Sequence, residues 1–365
     1  MNIERIFTEE PEYELWRRIL QYSYKANIKR YFDENGISVS EIESEKTYNS
    51  ISGAILQADE YYRAGKSASL QIEPLLLYYG STNLLYALYF LKNGSAPVIT
   101  NHGMRITNKD QDRYIADTEI KFESSKDGAV HKFASLLGVS QNLCDYRDWT
   151  LHDFLDSIAE ISSDYEKCYE KKSCILLLDT IQTTTGAVEK LYLPQNEYHL
   201  LQNVEKFSDS YLTPQVVKGE LILRHKMAAQ PITLTAYSGQ TYLQVAHFKE
   251  NRLISLPAIL NMYISLFALS SLCRYNPGRW NPFVTQDSSG ERLVLEKLLY
   301  FSRRMIPNAV LNEIVGKQMS FVSDKYVPEN RVHLVGEHEV QEIVNNEVRK
   351  QIKEELARTV FRTKE

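Results

Sequence analysis

Cysteine is scarce in this sequence, and charge of neither sign dominates. The 365 residues include four cysteines, none of them in a Cys-x-x-Cys pair, which is too few for a disulfide scaffold. Lys and Arg total 42 and Asp and Glu total 47, so the formal net charge is −5. This balance excludes a protein that holds nucleic acid by bulk positive charge, although it allows a local basic site.

The sequence also shows no secretory signal. Its start, MNIERIFTEEPEYELW, has no basic segment followed by an apolar core, and with the few cysteines this predicts a cytoplasmic protein. A run of 21 residues between Arg252 and Arg274 carries no charge and is long enough to cross a bilayer. Because it contains Pro257, Asn261 and four serines, we interpret it as a buried core helix and predict no contact with a membrane.

Familiar cofactor motifs are missing as well. The segment Ala64-Gly65-Lys66-Ser67 ends like a phosphate-binding loop, but Glu60 stands where that loop needs a glycine, so we interpret it as a helix end. His333 and His338 lie five residues apart with no third ligand group nearby, which favours a solvated loop. The sequence therefore predicts no metal site and no cofactor.

Helical patterns fill the first part of the chain. Apolar residues recur at helical spacing over 11–34 and 48–64, and Pro74 opens a third helix that Asn93-Gly94 closes. The third helix is apolar nearly all round, which predicts a central position.

Strand patterns follow in the middle, and helical patterns then return. Ile232–Tyr237 and Tyr242–Phe248 have β-rich composition and flank Ser238-Gly239, which predicts a hairpin. After Pro257 the pattern is helical again, and Pro307 is expected to interrupt the last of these helices.

This order predicts an α+β fold that is mainly helical, with a central antiparallel β portion inserted between N- and C-terminal helices. The predicted regions are 1–170 (N-terminal helices), 171–256 (β-rich), 257–338 (returning helices packed on the N-terminal core) and 339–365 (a C-terminal amphipathic helix).

The C-terminal segment has a narrow apolar stripe. Its apolar residues recur every four positions, at Val340, Val344, Val348, Ile352, Leu356 and Val360. Two interpretations stay open. The segment is either a surface helix docked on its own domain, or a helix that binds a protein partner or a second copy of the chain.

Arg147 and His152 are the candidate catalytic pair. A guanidinium can grip a phosphate with two hydrogen bonds, and an imidazole can move a proton near neutral pH. On an ideal helix the two would lie about 140° apart, so a second copy or a distorted turn would have to unite them. In the alternative interpretation the spacing arises by chance, and Asp148 or Thr150 caps the next helix.

Four residues at the end of the uncharged run form a candidate binding group: Arg274, Tyr275, Arg279 and Trp280. Two cations and two aromatic rings on a turn can bind an anion or a partner surface. Alternatively, the cations cap the last carbonyls of the helix.

His102 and Arg105 form a second candidate binding group, in a loop after the central helix. His102 lines a pocket in one interpretation and bonds to the backbone in the other. The sequence is also rich in tyrosine, with 24 residues. Tyrosines of this number indicate polar networks between helices, or alternatively a surface on which nucleobases stack.

Several stretches together resemble the YaaC-like proteins. They are GAILQADEYYRAGKSASLQIEPLLLYYGSTNLLYALYFL, NHG, LCRYNPGRW and FSRRMIPNAVLNEI. The resemblance implies an intracellular bacterial protein, and it carries over no catalytic residues.

Residues 48–103 are also similar to the helical pair of HEPN domains, through QADEYY, then YYG and LLYALYFLKNG, then HG. That resemblance implies an Arg-x4–6-His site, and Arg147 and His152 match this spacing, with Asp148 as the polar residue after Arg147.

Two functions follow as hypotheses. The first is a non-catalytic binding or assembly protein, which the absence of convergent catalytic groups and the stripe over 339–365 favour. The second is a HEPN-like, metal-independent endoribonuclease with RNA as substrate, of a phage-defence or stress system. A small-molecule enzyme that uses His102 and Arg274 is a third possibility.

Overall fold

The structure is a computed structural model of the chain. It describes residues 3–39, 41–107, 113–124, 127–183, 186–191, 193–217, 220–226, 232–237 and 239–323. These residues divide into two compact units. The smaller unit holds residues 3–15 and 318–323, and the larger unit holds the described residues from 16 to 317.

Helices make up most of the described chain. In chain order they are α1 Pro11–Leu20, α2 Lys25–Asn35, α3 Glu41–Ser67, α4 Glu73–Asn93, α5 Ala129–Leu136, α6 His152–Leu155, α7 Ser162–Tyr169, α8 Phe207–Ser210, α9 Ala258–Tyr275, α10 Pro277–Gln286 and α11 Glu291–Val315.

The strands are shorter. They are β1 Ile3–Thr8, β2 Met104–Thr107, β3 Glu119–Phe122, β4 Trp149–Thr150, β5 Ile175–Thr183, β6 Gly186–Leu191, β7 Gln215–Val217, β8 Glu220–Leu223, β9 Leu234–Thr235, β10 Thr241–Gln244, β11 His247–Lys249, β12 Arg252–Ile254 and β13 Gln318–Ser323.

The smaller unit is built on a pair of parallel strands. β1 lies beside β13 in a register that sets Ile3 opposite Gln318 and Thr8 opposite Ser323. The two strands come from distant parts of the sequence, and this pairing was not predicted from the sequence.

Helix α4 is the centre of the larger unit. Pro74 stands in its first turn, where the missing N–H costs no hydrogen bond, and Gly94 ends it with a φ of 67°. The helix packs against α3, α9 and α11, and Leu77, Leu84 and Leu88 are fully buried. Its all-round apolar surface is therefore covered on several sides, as the sequence predicted.

The β-rich part of the larger unit is a six-stranded antiparallel sheet with the order β7-β8-β6-β5-β10-β9. β10 pairs with β9, which confirms the hairpin predicted around Ser238-Gly239. Leucines such as Leu178, Leu223 and Leu243 form a core of this region. A separate sheet, β2-β3-β4, was not predicted.

Two predicted elements differ from the structure. The helix predicted over 11–34 breaks after Leu20 into a 3-10 turn and restarts at Lys25, because Tyr24 has an extended backbone. Pro307 does not interrupt α11, which runs through it. The neighbours Ile306, Val310 and Leu311 are buried, and this packing offsets the hydrogen bond that a proline removes.

The fold class is α+β and mainly helical, with antiparallel sheets in the middle and helices on either side along the chain, as predicted. Among the described residues, one helix, Ala258–Tyr275, is long and apolar enough to cross a membrane. Of that window, 78% is buried inside the protein, which is how a core helix looks. The predicted helix over 339–365, like His333 and His338, lies outside the described residues.

Candidate functional site

Five side chains from four segments form a group that we call the tyrosine–arginine patch. They are Tyr61 of α3, Tyr79 of α4, His102 of the following loop, and Arg274 and Tyr275 at the end of α9. The rings of Tyr61 and Tyr79 stack with centroids 5.8 Å apart.

Arg274 joins the two ends of the patch. It donates a hydrogen bond to the Tyr79 hydroxyl, and its guanidinium lies 5.6 Å from the Tyr79 ring and 4.7 Å from the Tyr275 ring. Tyr275 is 70% exposed. Among the described residues, Arg274 has no carboxylate partner. The patch therefore offers the exposed Tyr275 ring and the Arg274 cation to solvent, beside the half-buried pair of Tyr61 and Tyr79.

His102 is fixed by a short chain of hydroxyls. The Tyr263 hydroxyl donates to Tyr78, 3.3 Å away, and the Tyr78 hydroxyl then donates to Nδ1 of His102 at 2.7 Å. Burial, and next the charge of Arg274, lower the pKa of His102 below its ordinary value. The ring is therefore neutral near pH 7, with its proton on Nε2.

The other predicted binding residues have different surroundings. Arg105 is exposed on β2, opposite Lys121. Arg279 donates to the carbonyl of Tyr114 at 2.5 Å, and Trp280 is only 1% exposed, with its indole N–H on the carbonyl of Gln71. The structure thus brings His102, Arg274 and Tyr275 into one neighbourhood and gives Arg279 and Trp280 internal contacts.

Arg147 and His152, the candidate catalytic pair, are separated in the sequence by the buried Trp149. Asp148 has a φ of 56°, a left-handed turn that aspartate tolerates, and it separates exposed Arg147 from buried Trp149. His152 is 7% exposed and lies between Asp117 and the Tyr165 hydroxyl, at 3.2 and 3.1 Å. In the described part of the chain, no hydrogen bond or ion pair joins Arg147 to His152.

A second group, which we call the Cys174 cluster, consists of Asp156, Ser157, Cys174 and His247. Nε2 of His247 lies 3.3 Å from Oδ1 of Asp156 and 3.1 Å from the Ser157 hydroxyl. Both imidazole nitrogens lie 3.9 Å from the Cys174 sulfur. The side chain of His247 is 15% exposed and that of Asp156 13% exposed, so water and small ions can reach the cluster.

Backbone hydrogen bonds hold the three segments of this cluster together. The N–H of Cys174, just before β5, donates to the carbonyl of Asp156 at 2.9 Å. The N–H of Val245, just before β11, donates to the carbonyl of Cys174 at 2.8 Å. Main-chain hydrogen bonds therefore fix the backbone next to the side chains of Asp156, Cys174 and His247.

Charged neighbours surround the cluster. Asp153 lies 3.8 Å from Nδ1 of His247, and Lys249 lies 3.0 Å from the same carboxylate oxygen. Burial lowers the pKa of His247, but hydrogen bonds with Asp156 and Cys174 outweigh burial and raise it above 6.5. Burial also raises the pKa of the Cys174 thiol. With no cation bound, His247 is therefore a protonated imidazolium paired with the Asp156 carboxylate, and Cys174 is a neutral thiol.

A cavity of about 570 Å³ opens in the β-rich part of the larger unit. Its lining includes Leu201, Val204, Phe207, Pro214 and Val216. Charged residues such as Glu205, Lys206 and Asp209 also line it, and it contains no member of either group described above.

Sequence reasoning missed the Cys174 cluster. Cys174 begins the apolar run Cys174–Leu178, which has the length of a strand, and His247 falls within the β-rich run Tyr242–Phe248. Asp156, Cys174 and His247 have no motif spacing, since the fold alone brings them together. The weak signal is a cysteine at the very edge of an apolar run.

The comparisons with known proteins give one family. The family described as YaaC-like Protein matches residues 19–314, while no curated protein and no solved structure matches the chain. The similarity of residues 48–103 to HEPN helices stays a prediction. Since the match covers most of the sequence, the chain belongs to the YaaC-like family.

Proposed function

We propose that the chain is a non-catalytic binding protein that holds a nucleotide on the tyrosine–arginine patch. The observation that carries the proposal is Arg274, whose guanidinium lies against the half-buried ring of Tyr79 and the exposed ring of Tyr275 without a carboxylate partner among the described residues. Arginine binds phosphate oxygens with paired hydrogen bonds. Tyrosine faces stack on any nucleobase.

His102 supports the same ligand class. Its Nδ1 accepts from Tyr78, and no group among the described residues accepts from its Nε2–H. That N–H can donate to a ring nitrogen, a ribose hydroxyl or a phosphate oxygen. The patch thus combines stacking, a cation and a neutral donor. A cytoplasmic location and a bacterial origin, which the resemblance of the sequence implies, are part of the proposal.

Calorimetric titration of the full chain with the four common nucleoside monophosphates tests it. The nucleotides should bind more tightly than the matching nucleosides or inorganic phosphate. Tyr275→Ala should weaken binding about 5- to 150-fold, since stacking contributes about 1–3 kcal/mol per base, and Arg274→Gln should remove the preference for the phosphate.

Tyr300→Ala is the matched control, because Tyr300 is 60% exposed on α11 and lies outside the patch. Failure of folded wild-type protein to bind any of the nucleotides would contradict the proposal. So would an equal loss of affinity in the Tyr300 and Tyr275 variants.

The alternative is a metal-independent endoribonuclease that uses Arg147 and His152. Its test is cleavage of labelled RNA in EDTA by the wild-type chain and by the Arg147→Ala and His152→Ala variants. Cleavage that both substitutions abolish in folded protein would favour the ribonuclease. Cleavage that survives both excludes this pair as its site, and no cleavage favours the binding protein.

A further inference from the structure

We propose that Asp156, Cys174 and His247 form a binding site for a divalent cation of the zinc class. The ligand atoms are Oδ1 of Asp156, Sγ of Cys174 and Nε2 of His247, and one such atom from each residue lies within 4.8 Å of the others. The site is independent of the tyrosine–arginine patch and does not depend on nucleotide binding.

Two of the three ligand-atom separations are close to the edges of a coordination tetrahedron. With metal bonds of about 2.0 to 2.3 Å, ligand atoms around a tetrahedral Zn²⁺ lie about 3.3–3.6 Å apart. Nε2 of His247 lies 3.3 Å from Oδ1 of Asp156 and 3.9 Å from Sγ of Cys174. The third pair, an Asp156 carboxylate oxygen and Sγ of Cys174, lies within 4.8 Å. Cation binding would therefore draw these two side chains closer together, while the backbone hydrogen bonds keep their segments in place.

Asp153 completes the arrangement around the histidine. Its carboxylate faces Nδ1 of His247 at 3.8 Å, and it is oriented by the N–H and hydroxyl of Thr150, at 2.7 and 3.2 Å. Metal-binding histidines commonly donate their second N–H to a carboxylate, which fixes the ring and makes Nε2 a better ligand. At 3.8 Å the two groups form no hydrogen bond in this structure, and the same oxygen is paired with Lys249. The proposal therefore gives Asp153 the part of a positioning residue, which accepts from Nδ1–H once the cation is bound.

The donor set selects the ion. Thiolate and imidazole favour Zn²⁺ and related transition metals over Mg²⁺ and Ca²⁺, which prefer oxygen. With the cation bound, its two positive charges and that of Lys249 balance Cys174, Asp156 and Asp153. Three protein ligands leave a fourth position for water, as in zinc sites that are open to a substrate.

Co²⁺ is the probe for this proposal, because thiolate-bound Co²⁺ gives a near-ultraviolet charge-transfer band. The full chain, stripped with EDTA and kept reduced, should develop this band with one equivalent of Co²⁺ and lose it to Zn²⁺ but not to Mg²⁺. Cys174→Ser should abolish the band, whereas Cys168→Ser, the control, should keep it. His247→Gln and Asp156→Asn should each weaken binding at least 10-fold, and Asp153→Asn about 10- to 100-fold.

Folded wild-type protein that gives no band with excess Co²⁺ would overturn the proposal and leave an ion pair without metal. A band that persists in Cys174→Ser would overturn it too. If that variant does not fold, the rates at which an alkylating reagent modifies Cys174 and Cys168 in the wild-type chain test the proposal instead. Zn²⁺ should slow modification of Cys174 but not of Cys168, and equal rates with and without Zn²⁺ at Cys174 would refute the site.

Discussion

His152 is a nearly buried side chain whose ring nitrogens are both occupied. Asp117 lies on one side and the Tyr165 hydroxyl on the other. Burial, and next the charge of Lys171, lower its pKa below 6.5, although Asp117 acts in the opposite direction. The neutral ring is therefore part of the folded structure near pH 7, whatever its role in chemistry.

This environment predicts that acid destabilises the protein through His152. The unfolded chain takes up a proton as the pH falls below about 6.5, while the folded chain does so only at lower pH. The stability that His152 contributes is therefore complete above pH 6.5 and is lost as the pH falls through the folded pKa. Urea unfolding at pH 8, 7, 6 and 5 should show that the advantage of wild type over His152→Gln shrinks toward pH 5.

His199→Gln is the control for this measurement, since His199 is exposed and bonds to the carbonyl of Asn196. A stability difference between wild type and His152→Gln that stays constant or grows toward pH 5 would contradict the predicted direction.

Helices α3 and α4 approach each other closely at Gly80. A Cβ at this position would lie 2.7 and 2.8 Å from ring atoms of Tyr62. Tyr62 is 3% exposed and its hydroxyl bonds to Ser81 at 2.8 Å, so the ring has little room to move. The absence of one methyl group thus sets the distance between the two helices.

Gly80→Ala should therefore lower the free energy of unfolding by about 1–3 kcal/mol, the usual cost of overpacking a core. Gly53→Ala in α3 is the matched change, because nothing lies within 4 Å of its added Cβ. That substitution should raise the free energy of unfolding by about 0.5–1 kcal/mol through helix propensity. Denaturant titration of both variants checks the pair, and equal effects would show that the contact at Tyr62 does not matter.

At the level of elements, periodicity predicted most of the fold. It found α4 because apolar residues all round a helix require burial, and it found the β9–β10 hairpin because composition and a glycine turn agree. It missed β1 pairing with β13 and the sheet β2-β3-β4, since short strands carry few residues and their partners are distant. It predicted a break at Pro307 because the compensating packing is a tertiary effect.

The candidate sites were less predictable for the same reason. Arg274 and Tyr275 could be named because they adjoin each other after an apolar run. Their meeting with Tyr79 depends on the packing of α9 on α4, which no local pattern encodes. Asp156, Cys174 and His247 lie on three separate segments, so only the folded chain reveals them.

For the whole molecule, the apolar stripe over 339–365 leads to a prediction about assembly. We propose that this segment binds a protein partner or a second copy of the chain. If it pairs with a second copy, Val348→Glu together with Ile352→Glu should lower the mass measured by light scattering from a dimer or larger to a monomer. Each glutamate would place a charge on the apolar stripe.

Val348→Leu with Ile352→Leu is the control, since it keeps the stripe apolar. A wild-type chain that is monomeric at all concentrations would refute self-association and leave the partner hypothesis. A wild-type oligomer that the glutamates do not alter would assign the contact to another surface.

The pairing of β1 with β13 has a consequence for the timing of synthesis. A ribosome makes Ile3–Thr8 well before their partners Gln318–Ser323, because the described helices and sheets of the larger unit lie between them in the sequence. Until β13 is made, the backbone N–H and C=O groups of β1 have no partner strand. Unpaired strand edges of this kind can pair with the wrong strand or with another chain. Closing such a long loop costs conformational entropy, and the hydrogen bonds that offset this cost can form only once β13 has been made. We therefore expect this small sheet to form after the larger unit, and pulse-labelling of nascent chains should find its amides protected last among the described strands.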